Sequence, residues 1–102
     1  IVGMTKTLAM ELGKYKIRVN AICPGSVEGS RLNLVLEREA EAKGVSLDEI
    51  RKAYGLSTSM PGFVTSSDIA STAVFLASDG ACRISGQAIA VDGNTEHPEP
   101  KF

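Results

Sequence analysis

An α/β protein is predicted, with helices packed on an open parallel sheet, and two observations predict it. Two short, apolar, β-branched runs, "IRVNAIC" at 17–23 and "GQAIAVDGN" at 86–94, read as strands covered on both faces, the pattern of a parallel sheet. Before and between them, apolar residues recur at helical spacing in four segments. The order is helix-strand-helix-helix-helix-strand, and parallel strands joined through helices take a right-handed crossover. Two strands cannot cover both faces and both edges of such a sheet. The sequence is therefore expected to be part of a larger sheet whose other strands precede Ile1, a residue that is not methionine and opens a helical pattern without a cap.

The elements follow in order. "IVGMTKTLAMELGKYK" places Ile1, Met4, Leu8 and Leu12 on one helical stripe, widened by Val2 and Ala9. Gly13 stands where a helix stop is expected, with Lys14 and Lys16 suited to a helix C-terminus. The strand 17–23 ends at Pro24, which cannot donate to a ladder. Leu32, Val35, Leu36 and Ala40 mark a second, charge-rich helix from Arg31 to Lys43, which Gly44 breaks. "SLDE" at 46–49 is a capping-box pattern opening a third helix that runs to about Tyr54. Residues 55–62 read as a loop. Thr65 and Asp68 sit at capping positions for a fourth helix, whose expected buried stripe is Ile69, Ala73, Leu76 and Ala77, with Val74 and Phe75 alongside. The strand 86–94 ends in a turn, and the polar, proline-bearing tail from 95 to 102 completes the sequence.

Composition narrows the functional classes. The 102 residues are 43% hydrophobic and 23% charged, ordinary for a globular domain. A net charge of -1 gives no electrostatic case for a nucleic acid or an anionic membrane partner. No apolar run approaches the roughly 20 residues of a membrane span, and no signal peptide opens the sequence. Two cysteines, Cys23 and Cys82, form neither a disulfide framework nor a metal-ligand set, so a reduced, cytoplasmic setting is expected.

In open parallel sheets, ligands bind beyond the carboxyl ends of strands. The tip of the 17–23 strand is such a place, and it carries Pro24-Gly25-Ser26-Val27. Small side chains and accessible backbone groups there suit the approach of a flat, polar ligand, and glycine permits approach that a side chain would forbid. A strand-ending turn with no ligand is the plain rival reading.

"AMELGKYKIRVNAICPGSV" at 9–27, "DIASTAVFLAS" at 68–78 and "ISGQAIAVDGN" at 84–94, in this order and spacing, resemble the C-terminal half of a short-chain dehydrogenase/reductase. The resemblance covers residues 1–94. It implies a Rossmann-like doubly wound parallel sheet, with 1–94 the C-terminal part of one oxidoreductase domain. It implies NAD or NADP as cofactor and a small-molecule carbonyl or alcohol as substrate. Residues 1–14 would continue the helix that bears the family's catalytic tyrosine and lysine. Pro24, Gly25, Ser26 and Val27 would face the nicotinamide and its carboxamide, Val27 through backbone groups. Residues from about 30 to 60 would form the substrate lid, and the last helix and strand would help build a homo-oligomer interface.

The family's glycine-rich phosphate loop and its tyrosine–lysine pair are not in these 102 residues, and neither Tyr15 nor Tyr54 has a lysine four residues on. Catalytic residues are therefore expected to be none here, and the chain alone is expected not to transfer hydride. The residue that selects NAD or NADP falls outside the sequence as well. Where the family often has threonine two places after the valine of the loop, Gly29 stands, leaving Ser26 or Ser30 as substitutes. Gly62, Ser66 and Ser67 replace an arginine and a proline–glutamate pair before the last long helix.

Other features read as structure. Cys23 is expected to be a buried apolar residue, with no histidine near it and His97 in the tail. "GMTKT" at 3–7 lacks the glycine and strand of a phosphate loop and reads as helix. "EREAEAK" reads as a solvated helix face, and Glu37, Glu39 and Glu41 show no metal-ligand arrangement. Tyr54 and Met60 are candidates either for a substrate pocket or for packing. A second functional class, a non-catalytic association module, stands beside the oxidoreductase reading.

Overall fold

The computed structural model describes residues 1–95; His97 and the rest of the predicted tail lie outside them. The elements run α1 (Val2–Leu12), β1 (Ala21–Pro24), α2 (Ser30–Lys43), α3 (Leu47–Gly55), α4 (Ser66–Ala77) and β2 (Ala88–Val91), the order the sequence predicts. The described residues fall into two compact units, one of Ile1–Cys23 with Ser67–Val91, the other of Pro24–Ser66 with Asp92–Thr95. No helix among the described residues is long and apolar enough to cross a membrane.

In the first unit β1 and β2 form a two-stranded sheet. Gly86 N–H donates to Val19 O at 2.7 Å and Ala21 N–H to Gln87 O at 2.8 Å, so the two segments advance together, in parallel. Both strands are shorter than predicted. Along 17–20 side chains take up the pairing: Ser85 Oγ accepts from Val19 N–H, and the Asn20 amide bonds both Ile84 O and Gln87 N–H. Asn20 thus stands in for a ladder rung, and the regular strand begins only at Ala21.

Helix α1 crosses close to the start of β2. Lys6 Nζ donates to Gly86 O at 3.0 Å, and a Cβ on Gly86 would stand 3.4 Å from Ala9 Cβ. Gly13 does not end α1 in a left-handed turn, as its position suggested. It is right-handed and opens a 3-10 turn over Gly13–Tyr15, and the left-handed residue is Lys16, at φ 61°. The reversal is delayed by one tight turn, which then directs Ile17 N–H back to Leu12 O.

The expected apolar stripes are mostly uncovered here. On α1 only Thr5 is buried, while Met4 and Met10 are exposed; on α4 only Leu76 is buried, and Ala73, Val74, Phe75 and Ala77 are exposed. Cys23, expected to be buried, is exposed too. Periodicity marks the face meant for burial, whereas exposure depends on what lies against it.

The second unit holds the clearest core. Leu36, Ala40 and Ile50 are buried where α2 packs on α3, with Leu32, Val45, Leu47, Tyr54 and Phe63 against them. Gly44, at φ 69°, makes the left-handed stop between the helices, and its N–H returns to Ala40 O and Glu41 O. Glu49 N–H donates to Ser46 Oγ at 3.1 Å, while the Ser46 hydroxyl itself meets Glu49 Oε1, so the box closes through side chains.

Exposed Ile1, Met4, Met10, Val74 and Phe75 lead to a prediction. The 102-residue chain, expressed by itself, is expected to self-associate at micromolar concentration in light scattering after size exclusion. A monodisperse monomer with two-state unfolding would overturn it.

Candidate functional site

Of the sequence-predicted site residues, Pro24 is the last residue of β1, and Gly25, Ser26 and Val27 follow it directly. At Gly25, where the sequence suggested room for a ligand to approach, the close neighbour is Asp92 of the chain itself. A Cβ on Gly25 would stand 2.7 Å from Asp92 Cβ and 2.9 Å from Asp92 Cα, so no side chain fits without moving backbone. Glycine is required there by packing within the chain itself.

Beyond Gly25 the loop is fixed by a parallel bridge between Val27 and Val64. Val64 N–H donates to Ser26 O at 2.9 Å, and Glu28 N–H donates to Val64 O at 2.7 Å. Backbone groups alternate sides along an extended segment. With the groups of Ser26 and Glu28 turned to Val64, the N–H and C=O of Val27 point to the opposite side. Val27 is half-buried and Ser26 exposed. An open groove of about 530 Å³ runs along this segment, with Glu28, Arg31, Leu32 and Val35 among its lining residues.

The groove includes the start of α2. Gly29 is the N-cap and has no side chain to bond the first amides. A threonine would offer a hydroxyl at this position; Ser26 and Ser30 are both exposed. The first-turn amides of α2, with Arg31 beside them, form a positive end to the groove.

Arg51, which the sequence reading did not single out, ties the helical hairpin to this loop. One guanidinium nitrogen reaches both Glu28 carboxylate oxygens, at 2.8 and 2.9 Å, and another reaches Asn33 Oδ1 at 2.7 Å. The guanidinium also lies 5.0 Å from the centre of the Phe63 ring. No local motif marks this residue, because its partners are 18 and 23 residues away. The segment after β2 is fastened similarly: Met60 N–H donates to Gly93 O, Ser59 N–H to Asn94 O, and Asn94 Nδ2 to Ser59 Oγ. Gly93, at φ 67°, would place a Cβ 3.0 Å from Met60 O, so the Asp92-Gly93 turn needs its glycine twice over.

Tyr54 does not line the groove. It packs on the hairpin core, and its hydroxyl donates to Glu39 Oε2. Glu39 also accepts from Lys43 at 2.9 Å. Tyr54 first and Lys43 second hold the Glu39 carboxyl below its ordinary value. Met60 is 72% exposed and touches the groove nowhere. Among the described residues no group of three His, Cys, Asp or Glu side chains is placed to hold a metal ion.

Two predictions follow from this packing. Gly25→Ala is expected to lose about 1–3 kcal/mol of stability, read from urea unfolding, because Asp92 backbone must shift; an unchanged midpoint would sink the close-packing argument. Glu39 titrates lower when folded, so its contribution is present above its unfolded pKa of about 4.3 and is lost as pH falls through its folded value. Tyr54→Phe removes the larger cause, and the acid-side loss of stability below about pH 5 is expected to become shallower. Parallel slopes for both proteins in urea titrations across that range would contradict it.

A family model described as enoyl-(acyl carrier protein) reductase matches residues 1–94. The chain is 40% identical over 94 residues to (+)-borneol dehydrogenase 2 of Salvia officinalis, covering 91% of this chain and 33% of that protein. The crystal structure of a short chain dehydrogenase family protein from Francisella tularensis superposes with a TM-score of 0.84 at 35% identity, over 90% of this chain and 38% of that one. Actinorhodin polyketide ketoreductase, crystallised with NADPH, gives a TM-score of 0.81 at 34% identity, over 90% of this chain and 35% of that one. The chain spans about a third of the length of the relatives it matches. It belongs to the short-chain dehydrogenase/reductase family, and its fold is that family's Rossmann-like α/β architecture.

Proposed function

We propose that this chain, as a member of that family, supplies the nicotinamide-side loop and the substrate lid of an NAD(P)-dependent oxidoreductase that interconverts a carbonyl and an alcohol. The observation that carries the reading is the orientation of Val27. Its N–H and C=O face away from Val64, beside an open groove, and together they offer one donor and one acceptor. A nicotinamide carboxamide presents the complementary pair, an oxygen that accepts and an NH2 that donates. The uncapped start of α2, with Arg31 beside it, suits the pyrophosphate.

When bound, the nicotinamide supplies the hydride acceptor or donor. The chain's own part is to orient it through Val27 and to cover the substrate with α2 and α3. Proton transfer belongs to residues not among these 102, since neither tyrosine here has a lysine four places on. The isolated chain is accordingly inactive. The exposed apolar residues of α4, Val74 at 71% and Phe75 at 51%, support a place in the subunit interface of a homo-oligomer.

Those same exposed faces favour a second reading, a non-catalytic association module. Cofactor binding separates the two. In the intact protein, NADH or NADPH is expected to raise thermal stability and to slow hydrogen exchange at Val27 N–H, since a ligand stabilises the state that binds it. Val27→Pro removes that donor while leaving the Ser26 and Glu28 bonds to Val64, and is expected to raise the cofactor KM about tenfold. No stabilisation by either dinucleotide would favour the association module.

A further inference from the structure

Arg51 has more partners than its place on a helix surface requires. It is 29% exposed, and its guanidinium spans three separate segments: the loop at Glu28, the first turn of α2 at Asn33, and the face of Phe63, one residue before Val64. Glu28 is the residue whose N–H closes the Val27–Val64 bridge on one side. Phe63 leads directly into Val64, the other half of that bridge. One side chain therefore grips both strands of the bridge and the helix that borders the groove.

The hairpin does not need Arg51 in order to hold together. Leu36, Ala40 and Ile50 are buried between α2 and α3, and the capping box and Gly44 fix the helix ends. What Arg51 adds is attachment of α3 to the loop. We propose that Arg51 is a positioning residue, a polar latch through which the α2–α3 lid sets the presentation of the Val27 backbone to the cofactor. This rests on the reading of that loop as the nicotinamide-side contact. With the latch closed, Glu28 is held and the bridge keeps the Val27 N–H and C=O turned away from Val64, free to meet the cofactor. With it open, Phe63 still packs on the hairpin core, but Glu28 loses its anchor and only the two backbone bonds tie it to Val64. Because Glu28 is 43% exposed, the latch is screened by salt and opens more readily as ionic strength rises.

The test uses the intact protein and four forms of it: wild type, Arg51→Gln, Arg51→Lys and the charge-swapped pair Glu28→Arg with Arg51→Glu. Two quantities are read, hydrogen exchange at the Glu28 and Val64 amides and the split between cofactor KM and kcat. For Arg51→Gln, exchange at both amides is expected to quicken and cofactor KM to rise, each roughly three- to tenfold, with kcat within twofold. The swapped pair is expected to recover much of both effects; Arg51→Lys, which keeps the charge and loses the fork, is expected to recover little. Wild-type KM is expected to climb between 50 and 500 mM salt more steeply than that of Arg51→Gln.

Unchanged exchange at Glu28 and Val64 in Arg51→Gln overturns the latch. Faster exchange with an unchanged KM overturns the coupling to the cofactor. Failure of the underlying reading is seen separately, as wild-type protein whose Val27 amide gains no protection from NADH or NADPH. Arg51→Gln leaves the buried hairpin residues untouched, and circular dichroism with urea unfolding of each form separates a local effect from a loss of fold.

Discussion

The parallel bridge between Val27 and Val64 is the constraint on which the site depends. Two backbone hydrogen bonds, at 2.7 and 2.9 Å, decide which backbone groups of the loop face Val64 and which face away from it. A shift of one residue would exchange the two sides, turning the groups of Ser26 and Glu28 outward and those of Val27 inward. The loop carries little side-chain chemistry of its own. Its information lies in backbone direction, and backbone direction is set by a partner 37 residues away in the chain.

Several neighbouring features protect that register. Gly25 lets Asp92 lie against the loop just before the bridge, and Gly93 lets Met60 lie against the turn that follows Asp92. Arg51 holds Glu28 just after it. The loop is thus gripped on one flank by steric fit and on the other by charge. These differ in kind: the first has no slack, since a single methyl would collide, and the second sits at the surface, where water and salt compete for it.

The sequence made the larger plan readable because periodicity and punctuation are local. Gly44 as a left-handed stop, Ser46 with Glu49 as a cap, and Leu36 with Ala40 as a buried helical face each depend on residues within a turn or two. What failed to show was set by distant partners. Asn20 shortens β1 because it meets Ile84 and Gln87, and Cys23 is exposed because of what does and does not lie against it. Arg51 carries no motif, since its meaning comes from Glu28 and Phe63 rather than from its own helix. At Gly25 the sequence suggested room for a ligand, and the residue that lies against it is Asp92, 67 positions further along the chain.

The contrast between the hairpin's interior and its attachments bears on how such a unit works. Apolar burial between α2 and α3 is non-directional and insensitive to salt, and it makes the hairpin one body. Apart from Phe63, which packs on its core, its tie to the loop is the Arg51–Glu28 ion pair, directional and worth little alone. A body that is internally firm and externally fastened by weak, geometrically exacting contacts can detach without unfolding, because the contacts that break are not those that hold it together. Had the fastening been apolar, release would expose surface at a cost of about 25 cal/mol per Å² and the hairpin would stay shut. The polar fastening is therefore compatible with the lid proposed for this hairpin, which would release at Glu28 while its own core stays packed.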